Sequence, residues 1–236
     1  MAVRCGPDIN AVECLNMMYL EGGFRMRPAE FNREATLALA SGYRKVDLTH
    51  VASYVEFVAK LAAEVFGEGQ VLHYRASLKT PLAVHMRNLY MPLDVAVAWH
   101  PILNVPYIPA SAVKGAASAY VKNPCGLPPN EAYGTAGFEG GIVFFDAYLV
   151  DAPHGLVEPE VLTPHYSEAG LKISEVEARP TPLVYPVIPR GAVFAFLVAS
   201  RDKRCGREGL KNLLKTVLTR GVGAKTALGF GRFRVE

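Results

Sequence analysis

Apolar residues recur at helical spacing in the first part of the chain. Leu48, Val51 and Val55 lie on one helix face, three to four residues apart, and Gly67 follows as a C-cap. We therefore predict that residues 1–67 form a mostly helical region. The pattern then changes to alternating and β-branched residues, which predicts strands.

The predicted elements after this region follow the order strand, helix, strand, strand, helix, strand. This β-α-β-β-α-β order is that of a ferredoxin-like fold, in which two helices cover one face of an antiparallel sheet and the other face stays open for binding. Many RNA-binding modules use this plan. Strands are predicted at 70–82, 93–99 (an extra strand), 141–150, 192–200 and 230–235, helices at 111–121 and 207–220, and loops at 124–135 and 151–190.

The sequence thus predicts an α+β protein with two parts, an N-terminal helical appendage (1–67) and a ferredoxin-like domain (68–236) with long loop insertions. Half of the 236 residues are hydrophobic, which suffices for a full core. No apolar run approaches the roughly 20 residues of a membrane span, and the N-terminus lacks a signal-peptide core. We therefore expect a cytoplasmic protein without membrane association.

The net charge of +3 is unevenly distributed. Residues 201–236 contain ten Lys and Arg but three acidic residues, whereas the rest of the chain is slightly acidic. A basic segment on a nearly neutral protein favours nucleic acid or another polyanion as the partner. The alternative is a solvated basic helix face.

The residues that usually hold metals or attack substrates are scattered. Cys5, Cys14, Cys125 and Cys205 form no CxxC pair, which argues against a zinc site and a disulfide framework and fits the cytoplasm. No HxH, HxxxH or HExxH spacing and no nucleophile elbow occurs, so we predict neither a metal nor a cofactor. Asp146, in a predicted strand, is expected to cap or pair with a neighbouring loop.

The glycine segment, residues 221–233 (GVGAKTALGFGRF), is the most informative part of the chain. Its glycines would allow positive φ and close approach of a ligand, and its basic side chains suit a bound phosphate. It is not a P-loop, because Ala224 precedes Lys225 and the order is helix, loop, strand. It is not an RNP1 motif either, because that motif lies on a middle strand. A simple glycine-rich turn is the alternative.

A second candidate anion site lies at the predicted helix 111–121. With Ser111 as N-cap, Lys114 falls in the first turn, where a cation opposes the helix dipole by about 0.3–1 kcal/mol. Gly115 weakens the same helix by about 1 kcal/mol relative to Ala. Lys114 and Gly115 would both suit an anion bound at the free amides of the helix start. The alternative is that Lys114 extends its ammonium into solvent.

Three segments in this order resemble the RAMP superfamily of CRISPR-associated proteins: residues 107–115 (YIPASAVKG), 144–147 (FFDA) and the glycine segment. Residues 163–166 (TPHY) make the chain similar to the family of sixth subunits of the Cmr complex, the type III-B effector. The resemblance implies an RRM-like RAMP fold and a binding subunit rather than an enzyme. It also implies a position near the 3′ end of the guide RNA.

The resemblance implies CRISPR guide RNA and target RNA as partners, with the backbone RAMP subunit, the small helical subunit and another RAMP end subunit. The alternative is a metal-independent endoribonuclease that processes guide precursors. His165, on a proline-stiffened loop, would then be the general base and Lys114 or Lys225 would stabilise the pentavalent phosphate. The predicted RNA-binding residues are Ser111, Lys114, Gly115, His165, Gly221, Gly223, Lys225, Thr226, Gly229, Gly231 and Arg232.

Overall fold

The computed structural model describes residues 3–163 and 182–235. Three helices precede a mixed region of strands and helices. The helices are α1 (Ala11–Glu21), α2 (Pro28–Gly42), α3 (Thr49–Phe66), α4 (Ala110–Tyr120), α5 (Pro129–Tyr133) and α6 (Arg207–Arg220). The strands are β1 (Val71–Leu78), β2 (Trp99–His100), β3 (Val105–Ile108), β4 (Gly134–Thr135), β5 (Phe138–Glu139), β6 (Ile142–Phe144), β7 (Ala147–Asp151), β8 (Glu158–Leu162), β9 (Leu183–Val187), β10 (Val193–Ser200) and β11 (Phe233–Arg234).

The central sheet is antiparallel in every pairing, with the strand order β11-β1-β10-β7-β3-β2 and β6 paired to the far end of β10. α4 lies between β1 and β7 along the chain, and α6 lies between β10 and β11. The resulting β-α-β-β-α-β unit has the spatial order of a ferredoxin-like fold. The predicted α+β class and ferredoxin-like fold are confirmed.

α4 and α6 pack side by side against one face of the sheet. Their contact follows from the sequence, because Leu210, Leu214 and Val217 recur at helical spacing on α6 and are all buried. Phe194 and Phe196 of β10 are buried in the same core. This face is therefore a continuous apolar layer.

α3 covers the opposite face of the sheet. Its Ala62 packs against Val71 of β1 and against Leu197 and Ala199 of β10. The expectation of an open sheet face is therefore wrong here, because the apolar stripe of α3 needs a partner and the sheet supplies it. An RRM-like surface across these strands is not accessible to RNA.

The helical region shares one hydrophobic core with the sheet. Asn104, which precedes β3, joins the two: its side-chain oxygen accepts from the amide of Ala11 at 3.0 Å and from the Trp99 indole at 2.9 Å. Its amide nitrogen donates to the carbonyl of Ile9. These hydrogen bonds connect the helical region with the sheet. The division of the chain into two units at residue 67 stays a prediction.

Several predicted boundaries are wrong. Of the predicted strand 93–99, only Trp99 belongs to a strand, and this strand continues to His100. Residues 96–98 are buried but lie outside the named strands. The predicted strand 141–150 is broken between β6 and β7, where Asp146 turns away from the sheet. The predicted loop 124–135 contains α5, whose Pro129 stands at a first helical position.

The predicted loop 151–190 contains β8 and β9, which pair as a separate two-stranded sheet against α2. Each strand carries a proline, Pro159 or Pro186, and the two prolines face each other in the register. Proline lacks an amide donor, so its presence argued against strands at the sequence level.

The four cysteines form two disulfides, Cys5–Cys14 and Cys125–Cys205, with Cα–Cα distances of 5.5 and 5.1 Å. The expectation of no disulfide framework is therefore wrong. The second bridge joins the segment after α4 to the segment before α6, which are 80 residues apart along the chain. Such a pairing depends on helix packing and leaves no local sequence signature. Within the described ranges, every helix is too short or too polar to traverse a lipid bilayer.

Candidate nucleic-acid interface

A groove of about 440 Å³ separates α4 from the glycine segment. Four of the predicted RNA-binding residues line it, and we call it the α4 groove. These four are Ser111, Gly115, Gly221 and Gly223. The fold therefore joins two segments that the sequence places a hundred residues apart.

One side of the α4 groove is a helix face of small residues. Ser111, Gly115 and Ala119 follow each other at intervals of four residues and lie on the same side of α4. Gly115 is exposed, and a Cβ added to it would meet no atom within 4 Å. Internal packing therefore does not require glycine at this position, although glycine weakens the helix.

The start of α4 differs from the prediction. The helix begins at Ala110 with Pro109 as N-cap, so Ser111 is not the cap and Lys114 lies in the second turn. The side chain of Asp146 accepts a hydrogen bond from the Ala110 amide at 2.7 Å. Asp146 thus caps a helix start rather than the neighbouring loop that the sequence led us to expect.

Asp146 changes the electrostatics of the α4 start. Burial, and then the negative charge of Asp146, raise the pKa of Tyr107 on β3. The carboxylate occupies the first helical amide, which an anion at this helix start would otherwise use. The surface of α4 that stays open beside this capped start is its side, at Ser111 and beyond.

Lys114 lines a second groove of about 410 Å³, which we call the Lys114 groove. Ser111 lines both grooves, so the two are neighbours on either side of the α4 start. Arg201 also lines the Lys114 groove and forms an ion pair with Glu139. Lys114, the Ser111 hydroxyl and the Arg201–Glu139 ion pair thus lie along one surface that continues into the α4 groove.

The glycine segment is fixed by close backbone contacts. Gly221, Gly223 and Gly231 all have positive φ. A Cβ on Gly223 would lie 2.5 Å from the carbonyl oxygen of Ala83, and one on Gly231 would collide with the carbonyl of Val222. These glycines are required by the turn itself, which supports the simpler interpretation of the segment.

Lys225 points into the protein. Its ammonium donates to the hydroxyl of Tyr185 at 2.7 Å and lies 4.3 Å from the centroid of the same ring. The ring of Phe230 is 5.9 Å away on another side. The ammonium is therefore engaged by aromatic side chains rather than presented to a groove.

The remaining predicted residues take other positions. Thr226 packs against Gly221, and Gly229 ends the short helical turn 226–228. Arg232 is exposed, and its backbone amide donates to the hydroxyl of Thr80. Thr226, Gly229 and Arg232 line neither groove. His165 lies outside the described residues.

Sequence reasoning missed His85 and Tyr120, which line the α4 groove, and Arg201. Tyr120 was detectable, because it stands next to the four-residue repeat that runs through Ser111 and Gly115. His85 left no signal, because its position depends on the path of the segment after β1.

The basic C-terminal segment is less free than its composition indicates. Half of its ten cations have partners within the chain, which leaves fewer charges for a polyanion. The paired cations are Arg201 with Glu139, Arg204 with Asp202 and Glu131, Arg207 with the Val71 carbonyl, Arg220 with the Tyr120 ring, and Lys225 with Tyr185. Among the described residues, no three His, Cys, Asp or Glu side chains are grouped as metal ligands.

Two curated proteins are similar to this chain in sequence. The chain is 32% identical over 144 residues to the CRISPR system CMR subunit Cmr6 of Saccharolobus solfataricus, covering 61% of this chain and 49% of the relative. It is 31% identical over 111 residues to the Cmr subunit Cmr6 of Pyrococcus furiosus, covering 42% of this chain and 32% of that protein. The match thus spans about half the length of the first relative and about a third of the length of the second.

A solved structure shares this fold. It is a chain of the type III-B Cmr-beta complex bound to cognate target RNA, with a TM-score of 0.80, 21% identity, and coverage of 98% of this chain and 92% of that one. Residues 78–234 match the RAMP superfamily, from the end of β1 through β11. The chain is a member of the RAMP superfamily.

Proposed function

We propose that this protein is an RNA-binding, non-catalytic subunit of a type III-B CRISPR effector complex that acts in antiviral defence. It would bind the guide RNA backbone near the 3′ end and cap the subunit filament. Its partners would be guide and target RNA, the backbone RAMP subunit, the small helical subunit and another RAMP end subunit. Membership in the RAMP superfamily and the names of the two Cmr6 relatives support this proposal.

Gly115 is the observation that carries the proposal. A glycine in an exposed helix interior costs stability, and no described atom of the chain occupies the space beside it. The space therefore serves something that comes from outside the chain. An RNA backbone that passes from the Lys114 groove into the α4 groove would lie directly over this position.

The test uses the opposite effects expected for Gly115→Ala. The variant is expected to be about 1 kcal/mol more stable, because alanine favours the helix. Guide RNA retention in the assembled complex is expected to fall at least tenfold, because the new methyl group blocks close approach. Gly69→Ala is the matched control, since Gly69 has similarly open space and lies outside both grooves.

Lys114→Ala complements this test. It is expected to weaken guide binding and to reduce the salt dependence of binding, because one phosphate contact is lost. Unchanged RNA retention in both Gly115→Ala and Lys114→Ala, with the complex intact, would show that RNA binds elsewhere.

The absence of catalysis is part of the same proposal. The pure protein, incubated with labelled guide precursor in EDTA or in Mg²⁺, is expected to leave the RNA intact. Reproducible cleavage at one site would instead favour the endoribonuclease alternative.

A further inference from the structure

His85 has an unusual backbone conformation for its residue type. Its φ is +53°, in the left-handed region that costs a non-glycine residue roughly 1–2 kcal/mol. Flanking hydrogen bonds hold it there: the Val84 carbonyl accepts from Ala98 at 3.1 Å, and the Met86 carbonyl accepts from Ala96 at 2.8 Å. Residues in such conformations concentrate at binding and catalytic sites.

The side chain of His85 has no structural role in the part of the chain that the structure describes. It is exposed, and there it makes no hydrogen bond, ion pair or ring contact. It lies on the rim of the α4 groove. The strained backbone therefore presents an unoccupied aromatic ring to this groove.

The rest of the α4 groove suits a flat ligand. Ala112, Gly115, Ala116 and Ala119 provide a floor without long side chains. Tyr120 closes one end of α4, and its ring lies 5.6 Å from the guanidinium carbon of Arg220. An aromatic ring, a smooth floor and a nearby cation are the features that hold single-stranded nucleic acid without reading its sequence.

We propose that His85 stacks on one unpaired nucleobase of the guide RNA and holds that base in the α4 groove. This inference rests on the proposed function, because it deepens the role of the same groove. Stacking needs only a π-face, so any of the four bases is accepted, and a purine is held more firmly because its ring system is larger. His85 thus fixes the register of the guide while the backbone contacts supply charge neutralisation.

The experiment measures stacking locally, in the complex assembled from the full chain and a guide RNA. The probe is 2-aminopurine, placed at successive positions in the 3′ half of the guide. With the wild-type protein, one position is expected to show strongly quenched fluorescence. His85→Asn, which tolerates the left-handed conformation but has no ring, is expected to restore that fluorescence.

His85→Phe keeps the ring but adds backbone strain at the left-handed φ, which the flanking hydrogen bonds have to hold. It is expected to keep the quenching. The guide is expected to dissociate about 5- to 100-fold faster from the His85→Asn complex than from the wild type, whereas His85→Phe stays close to wild type. An abasic nucleotide at the quenched position is expected to abolish the difference between wild type and His85→Asn.

The outcomes separate this inference from the proposed function. If Gly115→Ala weakens RNA retention but His85→Asn changes neither fluorescence nor dissociation, the groove binds RNA and the stacking inference is overturned. If His85→Asn and His85→Phe both abolish a cleavage activity, His85 transfers protons and the inference is overturned as well. If neither Gly115→Ala nor His85→Asn has an effect, RNA does not bind in the α4 groove, and both the stacking inference and the part of the proposed function that places RNA there are overturned.

Discussion

Lys225 illustrates how a basic residue in a glycine segment acquires a structural role. The ammonium has a hydroxyl and two aromatic faces as neighbours, and its backbone takes a left-handed φ of +58°. A cation held this way contributes to the fold because it joins the glycine segment to Tyr185 of β9. Its proposed role as a phosphate ligand would require the ammonium to leave this position.

We predict that Lys225→Ala lowers the free energy of unfolding by about 1–3 kcal/mol, through the lost hydrogen bond and cation–π contact. Urea denaturation of the pure protein measures this loss. Arg232→Ala removes an exposed cation from the same segment and is expected to leave stability unchanged. Unchanged stability in Lys225→Ala together with weaker RNA retention would identify Lys225 as a phosphate ligand instead.

Glycines show what residue-level reasoning can and cannot predict. The sequence predicted that Gly115 and Gly223 both bind RNA, and nothing in the sequence distinguishes their roles. Only the structure distinguishes them: a Cβ on Gly223 would lie too close to a neighbouring carbonyl, and one on Gly115 would meet nothing. Whether a glycine serves the fold or a ligand depends on the surrounding atoms, which local sequence does not contain.

Elements with a strong local pattern were predicted well. α6 spans the predicted residues 207–220, because its leucine periodicity and the glycine that follows it act locally. α3 was likewise expected from its apolar stripe and from Gly67, which is its C-cap. β8 and β9 were missed, since their prolines hide two strands that pair with each other and pack against α2. The break before β7 was missed for a similar reason, because Asp146 turns to cap a distant helix.

Asn104 joins the helical region to the sheet, so its substitution measures how much this junction stabilises the protein. Asn104→Ala removes its hydrogen bonds to Ala11, Ile9 and Trp99, which lie in different elements. We predict a loss of about 2–4 kcal/mol, because buried donors and acceptors are left without partners. Asn130→Ala, at an exposed position in α5, is the matched control with little expected effect.

The single tryptophan makes this measurement specific. Trp99 lies at the junction, so its fluorescence follows the contact with the helical region, while far-UV circular dichroism follows the whole chain. We expect both signals to shift together to lower urea in Asn104→Ala. If fluorescence changes well before circular dichroism in the wild type, residues 1–67 unfold as a separate unit.

At the scale of the whole molecule, the chain is a sheet enclosed by helices on both faces. α4 and α6 cover one face and α3 covers the other, so the proposed RNA interface has to use the surfaces beside the helices. The α4 groove and the Lys114 groove are such surfaces. The element order therefore predicted the fold class correctly but not that α3 covers the second sheet face, because the order of elements does not show what packs on the sheet.

Two disulfides also stabilise the molecule, and we predict that their contributions to the free energy of unfolding differ. In the chain-entropy account, a bridge destabilises the unfolded state more when it closes a longer loop. Cys125–Cys205, with a separation of 80 residues, is worth about 4–5 kcal/mol on this basis, and Cys5–Cys14, with a separation of nine, about 2.5 kcal/mol. We predict that replacing both Cys125 and Cys205 by serine lowers the melting temperature by about 10 °C or more.

Replacing both Cys5 and Cys14 by serine is the matched comparison, and its melting temperature is expected to fall by roughly half as much. Reduction of the wild-type protein should approach the sum of the two losses, since the bridges lie in separate parts of the fold. Thiol titration of protein unfolded without reductant should detect no free cysteine. Four reactive thiols in that titration would contradict the pairing. Equal losses of stability for the two pairs would contradict the loop-length argument, because the longer loop should restrict the unfolded chain more.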